Sequence, residues 1–167
     1  PDIDIVTYTL AGMVNPTFGW GIKGDTFHCL EALEVLGHPA WFHLGDRDLA
    51  THIHRTMRMR QGYSLEAITD EIRTALKVET NIVPMSNQRV QTCIDNGNET
   101  ISFQEYFVKR QAKDKVRKIL YDGIDHAEAA PGAVEAVKNA DFIIIAPSNP
   151  FVSIGTILSI PGFRDLI

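Results

Sequence analysis

The sequence predicts an α/β fold: a Rossmann-like parallel sheet carrying a helical insertion and a small β-hairpin. Three features point there. Residues 24–78 repeat apolar side chains at helical spacing, Asn96-Gly97 stands between two β-prone runs, and Phe142-Ile143-Ile144-Ile145-Ala146 is an unbroken apolar run. Asn-Gly is the strongest short hairpin signal, and a continuous apolar run suits a parallel strand buried on both faces.

Taken in order, residues 5–11 are β-prone through Val6, Thr7 and Tyr8, yet they can equally begin a helix carrying Asp2 and Asp4. Asn15 to Gly21 reads as a loop of Gly, Pro and aromatic residues. Asp25 or Thr26 is placed to cap a helix with Phe27, Leu30, Leu33 and Leu36 near one side, ending at Gly37. A short apolar stretch, Ala40 to Leu44, leads into a helix with Leu49, Ile53 and Met57 at i, i+4, i+8. Ser64 caps a third helix lined by Leu65, Ile68, Ile72 and Ala75. These make a helical block over about 24–78.

The period then changes. Asn81 to Pro84 is strand-like, and a hairpin is expected over about 80–107, with Val90–Ile94 and Thr100–Phe103 flanking the turn. Lys109–Lys118 is a basic run read as a solvated linker or strand edge. Strand Ile119–Tyr121, a helix near Ala133–Lys138 and the strand at 142–146 then predict a right-handed βαβ unit over about 117–167.

With 167 residues, 44% hydrophobic and 22% charged, the chain can form a genuine core. A net charge of −5 argues against a general nucleic-acid binder. Cys29 and Cys93 are far apart, which fits no disulfide framework and suits a reducing cytoplasm. No apolar run approaches the roughly 20 residues that span a bilayer. The chain opens at Pro1 without a methionine and stops at Ile167 in a helix-like stretch, so it is expected to be the central part of a longer protein.

The densest chemistry lies in Gly45-Asp46-Arg47-Asp48-Leu49-Ala50-Thr51-His52. On a helix starting near Arg47, the residues Asp48, Thr51, His52 and Arg55 share one face. Two readings stand side by side: Asp46 or Asp48 is a helix cap and Arg47 a surface ion pair, or the group holds a charged ligand. His52 and His54 diverge by about 200° on a helix and do not form a zinc pair. Asp2 and Asp4, two apart, cannot both enter one site if extended; hard cations take one or two carboxylates plus phosphate oxygens and waters. Beyond the 142–146 strand, Ala146-Pro147-Ser148-Asn149-Pro150 and Ser153-Ile154-Gly155 occupy the position where open α/β sheets bind ligands. Ser153 is a candidate cap of a phosphate-favouring helix start, and two prolines fix Ser148 and Asn149; a rigid strand-to-helix turn explains the same residues without a ligand.

Pro1-Asp2-Ile3-Asp4, Trp20-Gly21, Leu44 to His52, Pro84-Met85-Ser86, Phe103-Gln104-Glu105 and the Ala146–Gly155 segment, in this order, resemble the 2-phospho-L-lactate transferase family (CofD, and FbiA in actinobacteria) of coenzyme F-420 biosynthesis. The resemblance covers essentially this whole chain but only about the central half of a family member. The N-terminal Gly-rich nucleotide loop and the C-terminal region are missing, so negligible activity is expected of residues 1–167 alone. It implies transfer of a 2-phospholactyl or phosphoenolpyruvyl group from a guanosine diphosphate-linked donor to the deazaflavin FO, with release of GMP and a requirement for Mg2+. By motif match, Asp4 would bind metal near the FO hydroxyl, with Asp2 second. Asp4, Asp46, Arg47 and Asp48 would act in catalysis, Asp4 being the nearest candidate for the general base, with Thr51 and His52 shaping the cleft. His43 falls where relatives often carry a lysine near FO. Ser148, Asn149, Ser153 and Gly155 would face nucleotide or phosphate. A cytoplasmic homodimer with small-molecule substrates, no nucleic acid and no membrane is implied. The alternative is a non-catalytic nucleotide-sugar-binding regulator of the related gluconeogenesis-factor type, indifferent to FO.

Overall fold

A computed structural model describes residues 2–167; Pro1, the first residue of the Pro-Asp-Ile-Asp motif, lies outside the described residues. The chain divides into two compact units, Pro1–Val83 and Pro84–Ile167.

The first unit is helical. Helix α1 spans Asp2–Leu10, α2 His28–Val35, α3 Asp46–Arg60 and α4 Leu65–Ala75. The β-prone start therefore folds as a helix, which puts Asp4 and Tyr8 one turn apart on one side. A loop closed by the Val14–Ile22 bridge joins α1 to α2. Of the apolar line of α4, Ile68 is fully inside and Ile72 lies at the core edge, while Leu65 is half-buried and Ala75 exposed. Ser64 caps α4 by accepting the Ala67 amide at 3.2 Å. Helix α2 stops at Gly37, whose φ of +86° lies in the left-handed region that glycine occupies freely.

Helix α3 is turned against expectation. Its apolar residues Ile53 and Met57 are 52% and 55% exposed, while the face bearing Asp48, Thr51, His52, Arg55 and Arg58 is the more buried one. Arg58 reaches α4: its Nε donates to Glu71 Oε2 at 2.9 Å, its Nη2 donates to Glu71 Oε1, and its guanidinium lies 3.5 Å from the Tyr63 ring centre. His54 also approaches Glu71, at 3.4 Å, on a side away from His52.

The second unit is built on a three-stranded antiparallel sheet in the order β2-β1-β3, with β1 Gln91–Asp95, β2 Thr100–Ser102 and β3 Lys118–Asp122. The hairpin forms where expected: Asp95 pairs with Thr100, and Gly97 takes a φ of +95° at the turn. In the basic run, Arg110 is drawn into an ion-pair group with Glu99, Glu105 and Asp114. Helix α5, Pro131–Lys138, opens on a proline, which suits the first helical turn. The core of this unit gathers Ile94, Ile101, Ala127, Ala130, Ile160 and Phe163.

The parallel βαβ unit is not formed. Residues 142–146 have no strand partner among the described residues, and Phe142 and Ile144 are each 89% exposed. A strand exists only through hydrogen bonds to a neighbour, and the sheet that does form is closed by β3 on β1. The strand-like Asn81–Pro84 stretch is likewise irregular, with Pro84 buried. The α/β class stands; the Rossmann-like parallel sheet is not seen. Among the described residues no helix is long and apolar enough to cross a membrane.

The Arg58 guanidinium holds the Glu71 carboxyl below its usual range. A carboxylate depressed in the folded state contributes stability that is present above its unfolded value, near pH 4.5, and lost as pH falls through its folded value. Thermal unfolding followed from pH 6 downward should therefore show a fall in Tm below about pH 4.5 that Glu71→Gln flattens. An unchanged acid limb in that variant would remove the α3–α4 pair as a contributor.

Candidate active site on helices α1 and α3

The start of α3 is held by an exchange of carboxylates. Asp25, from the segment before α2, accepts the Arg47 amide at 2.9 Å and the Asp48 amide at 3.3 Å, so it caps α3. Asp46, from α3, accepts the His28 amide at 3.1 Å and the Cys29 amide at 2.9 Å, so it caps α2. The Thr26 hydroxyl donates to Asp46 at 2.6 Å, and this bond, with the Cys29 amide, holds the Asp46 carboxyl below its usual range. The sequence offers Asp25 or Thr26 as the cap of α2; instead Asp46 of α3 caps α2, and Asp25 caps α3.

Gly45 makes the exchange possible. A Cβ there would lie 2.2 Å from Asp25 Oδ2, although the backbone, at φ −73° and ψ 164°, would accept any residue. Space, not torsion, demands glycine.

With its start fixed, α3 presents Asp48, Thr51, His52 and Arg55 toward α1, which supplies Asp4 and Tyr8. Asp4 is only 5% exposed. Arg55 Nη2 donates to Asp4 Oδ1, and the pair compensates a buried charge that would otherwise be costly. Tyr8, also buried, places its hydroxyl 2.9 Å from Asp48 Oδ1 and 2.9 Å from Thr51 Oγ1. His52 Nε2 lies 3.9 Å from Asp4 Oδ2 and 3.8 Å from Asp48 Oδ1. Burial pushes the His52 imidazole below its ordinary value, against the pull of Asp4, so the ring is neutral near pH 7. Burial likewise pushes the Tyr8 phenol far above its usual value.

One ligand atom each from Asp4, Asp48 and His52 lies within 4.8 Å of the others. The two carboxylates fit a divalent cation, and the His52 ring stands beside them. The second acid of the set is Asp48. Asp2, expected as the alternative ligand, is exposed and two residues from Asp4, about 200° around α1.

Among the other expected residues of the first unit, none joins this group. Asp46 is engaged as a cap, and Arg47 is exposed at the first turn of α3. His43 is exposed, its ring 5.9 Å from that of Phe27. In the second unit, Asn149 accepts the Phe151 and Val152 amides at 2.9 and 3.1 Å, so it serves as the cap expected of Ser153. Ser153 sits inside the π-helical turn Pro150–Ile154, and Ser148 is exposed before it. Gly155 packs tightly there: a Cβ would meet the Pro150 carbonyl at 2.7 Å and the Tyr121 hydroxyl at 2.8 Å. Tyr8 was not singled out from the sequence, where it counted only as β-prone; read as a helix, its i, i+4 relation to Asp4 is the signal that finds it.

The model of the family described as 2-phospho-L-lactate transferase CofD matches residues 1–167. The chain belongs to that family. Among similar relatives is the phosphoenolpyruvate transferase of Streptomyces griseus, 45% identical over all of this chain and 54% of its own length. Proteins of the same name from Thermobifida fusca and Mycolicibacterium smegmatis are 43% and 42% identical, each over all of this chain and 53% of their own. The chain thus spans about half the length of the curated relatives it matches. A Bacillus halodurans protein of the UPF0052 family shares the fold: one crystal structure matches with a TM-score of 0.59 at 17% identity, over 99% of this chain and 51% of that one.

Gly45→Ala should displace Asp25 and uncap α3, costing about 1–3 kcal/mol in chemical denaturation. A loss within about 0.5 kcal/mol of zero would show that the α2–α3 exchange is dispensable.

Proposed function

We propose that the protein to which this chain belongs transfers a phosphoenolpyruvyl, or 2-phospholactyl, group from a guanosine diphosphate-linked donor to the terminal hydroxyl of the deazaflavin FO, releasing GMP, in coenzyme F-420 biosynthesis. Family membership supports the transferase class, and the phosphoenolpyruvate transferase name of the relatives favours the enolpyruvyl donor. The observation that carries the reading in this chain is the Asp4–Asp48–His52 group beside Arg55, with Arg47 exposed close by in sequence on the same helix.

The reaction forms a bond from the FO hydroxyl oxygen to the phosphorus bearing the acid, and breaks the bond from that phosphorus to the GMP oxygen. Its difficulty is electrostatic, because the diphosphate repels a nucleophile and the leaving group gains charge. Asp4 and Asp48 are the residues that would hold Mg2+. Bound there, the ion would neutralise charge on the diphosphate.

The ion pair with Arg55 fixes Asp4 in direction, which suits an anchoring carboxylate better than a proton acceptor. Neutral His52, beside the two carboxylates, is the group able to take the hydroxyl proton as the new bond forms. Arg47, exposed and cationic, is available to the donor's phosphates. Ser148, Asn149, Ser153 and Gly155 enter the proposal as the nucleotide-side turn. There the contribution is rigidity, since Asn149 already satisfies the two leading amides.

Full-length protein incubated with FO, the guanylylated acid and Mg2+ should release GMP. Asp4→Asn should lower kcat at least about 100-fold in a variant that still folds, with a lowered melting temperature because Arg55 loses its buried partner. Nucleotide-sugar binding without GMP release would favour the regulator reading, and a full rate in the Asp4 variant would take Asp4 out of the mechanism.

A further inference from the structure

Tyr8 has no part in the proposed chemistry, yet it is among the most buried large side chains of the first unit, at 2% exposure. A buried tyrosine usually finds a partner for its hydroxyl, and many settle for a backbone carbonyl. This one meets two side chains of α3, Asp48 and Thr51, each at 2.9 Å.

A phenol carries one proton, and an ionised carboxylate only accepts. The single proton therefore goes to Asp48, and the Thr51 hydroxyl is left to donate to the phenol oxygen. The order Thr51 to Tyr8 to Asp48 gives every group a satisfied role, and no buried side-chain polar atom is left unpaired among the described residues. The oxygen so engaged, Asp48 Oδ1, is the same atom that lies 3.8 Å from His52 Nε2. One carboxylate of the site is thus steered by Arg55 and the other by Tyr8, from opposite helices.

We propose that Tyr8 is a positioning residue: by its hydrogen bond it fixes the Asp48 carboxylate in the orientation that binds a divalent cation together with Asp4. The inference rests on the cation reading of this site. Its mechanism is the orientation of a ligand by a neighbour that does not itself touch the ion, and loss of such a neighbour typically weakens metal affinity by about 10–100-fold.

The test uses full-length protein and Mn2+ as the probe, with free ion counted by electron paramagnetic resonance. Wild type should bind Mn2+, and Tyr8→Phe should raise the Kd by about 10–100-fold while its melting temperature stays within a few degrees. A purely structural tyrosine would move the melting temperature and leave the Kd alone. Thr51→Val, which removes the hydroxyl behind Tyr8 and keeps the shape, should weaken Mn2+ in the same direction by a smaller factor. It decides the matter should Tyr8→Phe fail to fold. Equal Mn2+ affinity in wild type and in whichever variant folds would overturn the role of Tyr8 alone. Absence of Mn2+ binding by wild type would instead sink the cation reading itself.

Discussion

A carboxylate removed from water must be met by compensating charge and hydrogen bonds, and Asp4 imposes that requirement on the first unit. Arg55 meets it from α3. To do so, α3 has to turn its charged face toward α1, which sends Ile53 and Met57 outward. The usual hydrophobic logic of helix packing is thereby reversed for one helix and kept for α4, whose Ile68 is fully buried. The cost of burying Asp4 is offset locally, but the geometry it enforces extends over the whole length of α3.

That geometry holds only if α3 starts in the right place. The crossed capping by Asp25 and Asp46 ties the first turn of α3 to the first turn of α2, and Gly45 provides the room. At the other end, Glu71 clamps Arg58 to α4. Between these anchors lie the residues suited to chemistry. Such a helix, fixed at both ends and polar in the middle, keeps its functional groups in place before any ligand arrives, which is what electrostatic catalysis needs.

Much of this was legible in the residues themselves. The helical face shared by Asp48, Thr51, His52 and Arg55 follows from spacing alone, as do the Ser64 cap and the Asn-Gly hairpin. What spacing cannot supply is the partner of a carboxylate. Asp46 looks like a site residue because the motif is dense with charge, and it proves to be a cap for a helix 18 residues earlier in the chain. Asp2 turns away from Asp4 because α1 is a helix, a choice that Val6, Thr7 and Tyr8 left open. The run at 142–146 departs from expectation for a different reason: its composition encodes burial, but a strand is a property of two segments, and no segment pairs with this one among the described residues.

That same run has a practical consequence. Phe142 to Ile145 form an uncharged, β-branched, proline-free stretch with its backbone edges free and its side chains in water. Wherever it stays uncovered, it is a template on which further molecules can stack edge to edge, in the manner of a growing fibril.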